Sequence, residues 1–132
     1  MTERQIFRLL WGYWGNTKSR LEQIFYEYAR IHAMNTQYEI VDFLQNNRKL
    51  LLEKYHVTKI GLFGSFARNE QQENSDVDLL IELEEGTQNI YDLKDSLKQF
   101  LSLSFNRSVD IAREKYLKPY AREQILKDTL YV

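Results

Sequence analysis

Apolar and polar positions change period several times along this chain, and each change marks an element. Leu21, Ile24, Phe25, Tyr28 and Ile31 recur at helical spacing, so residues 19–33 are expected to form an amphipathic helix after a WGYWGN turn. A longer helix is expected over 37–55, with Ile40, Phe43, Leu44, Leu51 and Tyr55 on or near one face and Asn46 to Lys49 at a polar bend. TKIGLF (58–63) then reads as a strand that stops at Gly64, SFARNEQQ as one or two helical turns, and ENS as a loop. DVDLLIEL (76–83) alternates as a second strand, with Val77, Leu79, Ile81 and Leu83 inward and Glu84-Glu85-Gly86 closing it. Helical spacing returns over 88–104 through Ile90, Leu93, Leu97, Phe100 and Leu101, and SVDIA (108–112) supplies a third strand. A last helix starts near Pro119, a good first-turn residue, and ends near Lys127. This order predicts an α/β (α+β) domain, a small mixed β-sheet flanked by helices.

Residues 1–33 read as an N-terminal helical extension, with Met34 as an alternative start, and residues 34–132 as the folded domain. Of the 132 residues, 43% are hydrophobic and 28% charged, which excludes a disordered chain. The 18 basic and 19 acidic side chains nearly cancel, which removes the footprint of a general nucleic-acid binder. There is no cysteine, so disulfides, thiolate metal sites and cysteine nucleophiles are excluded. No apolar run approaches the roughly 18 residues that would span a bilayer, and the cytoplasm is the expected compartment. His32 and His56 have no second ligand at metal spacing, and Glu82 is expected to face solvent. Trp11, Tyr13, Tyr26 and Tyr28 read as packing aromatics or an interaction patch.

The chemistry concentrates in GLFGSFARNEQQENSDVDLLIEL (61–83), where ten residues separate Gly64-Ser65 from Asp76-x-Asp78. On a strand, residues i and i+2 share a face about 6.5 Å apart, so Asp76 and Asp78 are expected opposite the apolar side chains. Two carboxylates that close repel, and a divalent cation removes the penalty. Magnesium suits such a clamp, because it takes one or two carboxylates together with waters and phosphates. A strand ending in glycine lets the backbone pass close to a ligand, while Ser65 offers a hydroxyl and Arg68 a positive charge to phosphate. Asp110, in SVDIA, faces away from the core as Asp78 does. If its strand lies beside the second, it joins the acidic cluster, shares a second metal and helps deprotonate a hydroxyl.

GSFARNEQQENSDVDLLIEL resembles the GS-x10-DxD signature of the DNA polymerase β-like nucleotidyltransferases, and SVDIA resembles their third aspartate strand. The short domain is further similar to the minimal nucleotidyltransferases, called MntA-like, encoded beside HEPN-domain toxins in prokaryotes. The resemblance spans roughly residues 37–132. It implies magnesium-dependent nucleotidyl transfer from ATP. Gly64 and Ser65 would bind triphosphate, Asp76 and Asp78 the metals, and Asp110 metal and nucleophile. For the MntA-like group it implies an antitoxin that transfers AMP to a tyrosine of its HEPN ribonuclease partner. Asn69 stands where that family usually has glycine, and asparagine tolerates the left-handed backbone such a turn needs.

Three functions fit: a protein adenylyltransferase antitoxin, a nucleotidyltransferase acting on a small molecule such as an aminoglycoside, and an idle fold that silences a partner by binding. A small acceptor needs walls, yet only 22 residues follow Asp110, so the acceptor surface is expected from a partner protein. Three acids kept together argue against an idle domain, because their repulsion costs stability.

Overall fold

The computed structural model describes Arg20, Gln23, Ile24, Tyr28 and residues 32–132. The chain divides into two units, Met1–Ala33 and Met34–Val132. Of the helix predicted over 19–33, the described Arg20, Gln23, Ile24, Tyr28 and His32 are helical. Ala33 is a bend, and the other residues of that stretch, with Trp11, Tyr13 and Tyr26, lie outside the described residues.

The second unit opens with a reciprocal helix cap. Thr36 accepts the Glu39 amide at 3.1 Å and gives its hydroxyl to the Glu39 carboxylate at 2.9 Å. From that cap runs α1, Gln37–Asn46. The single helix expected over 37–55 is in fact two, because Asn47 leaves helical geometry (φ −111°, ψ 12°) and α2 restarts over Arg48–Tyr55. The Asn47 side-chain amide donates to the Phe43 carbonyl at 2.8 Å, a local bond that competes with the helix ladder.

Strand β1 spans Val57–Phe63 and is followed by a one-turn helix α3, Gly64–Ala67, shorter than the two turns allowed by SFARNEQQ. Asn69 takes φ +56°, the left-handed conformation anticipated for it, and ends the helical stretch. Strand β2 covers Val77–Leu83, so Asp76 precedes the strand instead of starting it. Helix α4, Ile90–Phe105, carries the chain back to β3, Val109–Arg113, the crossover that a parallel pair requires. A 3₁₀ turn, Glu114–Tyr116, leads to α5, Pro119–Asp128, with Pro119 in its first turn. The chain ends in a two-residue strand β4, Leu130–Tyr131, which periodicity could not reveal because two residues carry no period.

The strand order is β3-β2-β1-β4, with β1 antiparallel to β2 and β4 and β2 parallel to β3. One sheet face packs on α1, α2 and α4. Ile40, Leu44, Leu51, Leu97, Leu101 and Phe105 meet Leu62, Val77, Leu79, Ile81 and Val109 there, all buried. Phe43 meets Phe105 edge to face at 5.2 Å. With one face of β2 filled by Val77, Leu79, Ile81 and Leu83, the alternation sends Asp78 to the other. That second face is partly covered by α5, and Leu80 is buried outside the main core cluster.

Gly61 is what lets β4 lie against β1. A side chain there would meet the Thr129 methyl at 2.5 Å and the Tyr131 ring at 3.0 Å. Gly61→Val is expected to cost about 1–3 kcal/mol, as overpacking does, through displacement of Leu130–Tyr131. Urea unfolding, with amide exchange at Val132, checks both parts.

Candidate active site

Parallel pairing decides where the third acid goes. In the β2–β3 register Asp78 stands directly beside Asp110, on strands about 4.8 Å apart. In the antiparallel β1–β2 register Asp78 also stands beside Phe63, the residue before Gly64. Gly64 has φ +73°, and any side chain there would run into the Asp78 carboxylate. Glycine is required twice over, once by its backbone angle and once by the acid across the strand.

Asp78 is half-buried, while Asp76 and Asp110 are exposed. Burial pushes the Asp78 carboxyl up to about 6; the negative charges of Asp110 and Asp76 add to the rise, and Arg68 opposes it. Asp76, Asp110 and Arg68 are therefore each close enough to act on Asp78. Arg68 is held by two carboxylates, Glu70 at 3.0 Å and Asp128 at 3.7 Å. Asp128 comes from the end of α5 and was not singled out from the sequence; no periodic or motif signal marks it. Ser65 lies in the α3 turn, and its carbonyl accepts the Glu70 amide at 2.9 Å.

A three-carboxylate metal grip was expected from the sequence. Among the described residues, no three His, Cys, Asp or Glu side chains are arranged to hold a metal by themselves. Asp76 sits before the strand, exposed, which opens the set. The donor chemistry still fits magnesium: carboxylate oxygens are hard ligands, one of these carboxyls resists ionising without added positive charge, and magnesium takes only one or two carboxylates beside phosphate and water.

The spacer between the glycine turn and the acids is tied down by a residue that the motif does not contain. Arg107, just after α4, sends Nη1 to the carbonyls of Glu73 at 2.8 Å and Ser75 at 3.0 Å. Its Nη2 reaches Asn35 Oδ1 at 2.7 Å, its Nε the Met34 carbonyl, and the guanidinium lies 5.1 Å from the Phe66 ring centre. Burial lowers its pKa, with Glu39 and Glu73 working against the fall. Gln37 adds a second tie, donating to the Phe66 and Ala67 carbonyls at 3.1 and 2.8 Å and so capping α3 from α1. Nothing in the sequence pattern marks either residue, since both act through backbone carbonyls brought near by the fold.

The glycine turn, the paired acids and the tied spacer all lie on a nucleotidyltransferase fold. The chain belongs to the nucleotidyltransferase domain family, whose model matches residues 44–132. It is a nucleotidyltransferase of the minimal, MntA-like kind. It is 40% identical over 102 residues to MJ0128 of Methanocaldococcus jannaschii, a candidate protein adenylyltransferase, covering 75% of this chain and 100% of that protein. Protein adenylyltransferase MntA of Thermococcus cleftensis is 34% identical over 100 residues, 76% of this chain and 99% of that one. The solved structure of a candidate minimal nucleotidyltransferase matches with a TM-score of 0.61 at 30% identity, covering 73% of this chain and 95% of that chain.

Two measurements test the site's internal electrostatics. A carboxyl whose folded pKa of about 6 exceeds its unfolded 3.8 opposes folding when ionised; the cost is absent at low pH, grows as pH rises between those values, and is complete above them. Asp78→Asn is therefore expected to stabilise the metal-free protein at neutral pH by about 1–2 kcal/mol after solvent screening, a gain that vanishes on acidification. Urea titrations in chelator across the pH range read it. Arg107→Ala is expected to cost about 2 kcal/mol and to speed amide exchange in residues 71–76, because several carbonyls lose a charged donor.

Proposed function

We propose that this chain is an antitoxin that transfers AMP from ATP to a tyrosine hydroxyl of a HEPN-domain ribonuclease partner. The single observation that carries the reading is the register of Asp78 beside Asp110, with Gly64 closed against the same carboxylate. It supports one electrostatic focus fed from three strand ends. The relatives named as protein adenylyltransferases support AMP as the group transferred and protein as the acceptor.

In this reading the backbone turn at Gly64 and the Ser65 hydroxyl receive the triphosphate. Arg68, parked by Glu70 and Asp128 beside Asp78, adds positive charge to it. Asp76, Asp78 and Asp110 would hold magnesium, which when bound neutralises phosphate charge and makes pyrophosphate a better leaving group. Asp110 accepts the proton of the tyrosine hydroxyl as its oxygen attacks the α-phosphorus. A new P–O bond forms, the α–β phosphoanhydride bond breaks, and pyrophosphate leaves.

Incubation with ATP, magnesium and the neighbouring HEPN-domain protein, followed by intact mass, tests the reading. The partner is expected to gain AMP, and Asp76→Ala, Asp78→Ala and Asp110→Ala each to lower the rate by about a hundredfold or more, as loss of a group acting on the transition state does. Transfer to an aminoglycoside with the partner untouched would support a small-molecule enzyme instead. Neutralisation that survives loss of all three acids would mark a binding-only antitoxin.

A further inference from the structure

Beyond the acids, the segment from Arg113 to Arg122 stands apart in charge and exposure. It holds Arg113, Lys115, Lys118 and Arg122 against Glu114 alone, a net +3 in a chain whose total is −1. Glu114 is already spent inside the fold. Its carboxylate accepts Lys59 at 3.1 Å and the Tyr131 hydroxyl at 3.2 Å, with Arg122 at 3.8 Å. The Lys59 hydrogen bond, the largest influence, holds Glu114 below the usual carboxylate range. The side chains of Arg113, Lys115 and Lys118 make no ion pair among the described residues, although Glu82 Oε1 accepts the Lys115 backbone amide at 3.2 Å.

Two tyrosines stand among those cations. Tyr116 is 69% exposed and Tyr120 87% exposed. The Arg113 guanidinium lies 5.1 Å from the Tyr116 ring centre and the Lys115 ammonium 5.4 Å. Arg113 is half-buried, with its Nε itself buried and without a hydrogen-bond partner. Exposed tyrosine beside arginine is the composition of a protein-interface hot spot. Single-stranded nucleic acid would also seek cations and aromatics, but the chain as a whole carries a net charge of −1, and one of the two rings, Tyr116, already carries the protein's own cations.

We propose that Arg113, Lys115, Tyr116, Lys118 and Tyr120 form the docking platform for the acceptor protein, engaging an acidic patch on that partner. Arg113 ends the edge strand that carries Asp110 three residues earlier, about 10 Å along β3 and turned to the other sheet face. An ordinary interface of about 800 Å² per partner is wide enough to reach around that edge from one face to the other. The platform rests on the proposed transfer to protein for its partner, and on its own charge and exposure for its existence. The three cations draw the partner's carboxylates by long-range attraction, and the tyrosines supply the contact area.

The test is isothermal titration of the full chain with the neighbouring HEPN-domain protein, without ATP, at several salt concentrations. The parent chain is expected to bind, with affinity falling as salt rises. Lys115→Glu with Lys118→Glu should weaken binding about tenfold or more, and the same positions changed to Gln should lose less and flatten the salt dependence. Tyr120→Ala should weaken binding at every salt concentration. Melting temperature and ATP affinity should stay at parent values, which separates docking from misfolding. Parent-like affinity in the Glu variant overturns the platform, even if AMP transfer proceeds. Salt-sensitive binding that the Glu variant loses upholds it, even if no AMP is transferred and the catalytic reading falls. Tight binding of a single-stranded RNA, lost in the Glu variant while partner affinity is unchanged, overturns it in favour of a nucleic-acid site.

Discussion

Everything at the acidic end of the sheet depends on one guanidinium. The ten residues between Gly64-Ser65 and Asp76 form no regular structure after the α3 turn, so their own backbone cannot hold them in register. Arg107 does that work from outside, gathering carbonyls of Glu73 and Ser75 together with Met34 and Asn35 on one planar fork. A lysine, with a point charge on a flexible stem, could not make the same set of directed bonds. The start of the second unit, the spacer loop and the end of α4 thus meet in one place. The loop that joins the two halves of the motif is then fixed before any ligand arrives.

What that knot holds in place is itself unfavourable. Asp78 sits half-buried beside Asp110, with Asp76 adding negative charge and Arg68 only partly offsetting it. Gly64 adopts a backbone angle that few residues accept, so that the turn can close on the same carboxylate. A fold selected for stability alone would remove either feature. Keeping both, and supporting them with Arg107 and Gln37, gathers unrelieved negative charge and a glycine-dependent turn at one end of the sheet, which is what the proposed metal-bound triphosphate would relieve. The apolar side of the sheet absorbs the cost, since Leu62, Leu79, Leu97, Leu101 and Phe105 are fully buried there.

The supports of the site come from elements that its motif never touches. Asp128 closes α5 and reaches Arg68, while Lys59, Glu114, Tyr131 and Arg122 knit β1, the 3₁₀ turn, β4 and α5 into one clip. The chain after Asp110 is therefore occupied in two ways. Its inward charges fasten α5 and β4 to the sheet, and its outward cations and tyrosines remain on the surface. No helix among the described residues is long and apolar enough to cross a membrane.

Hydrophobic period by itself was enough to locate three strands and the helix over Ile90–Phe105, because each buries apolar side chains, while Pro119 marked the start of α5. Motif spacing was enough to pick out Gly64, Asp76, Asp78 and Asp110, and the left-handed Asn69 could be anticipated from side-chain chemistry alone. The sequence could not announce the break at Asn47, the strand Leu130–Tyr131, or the reach of Arg107, Gln37 and Asp128. Those depend on which distant backbone and side-chain groups come within hydrogen-bond or ion-pair range. A linear pattern records what each residue prefers, whereas only the closed sheet decides which carbonyl, ring or carboxylate stands beside it.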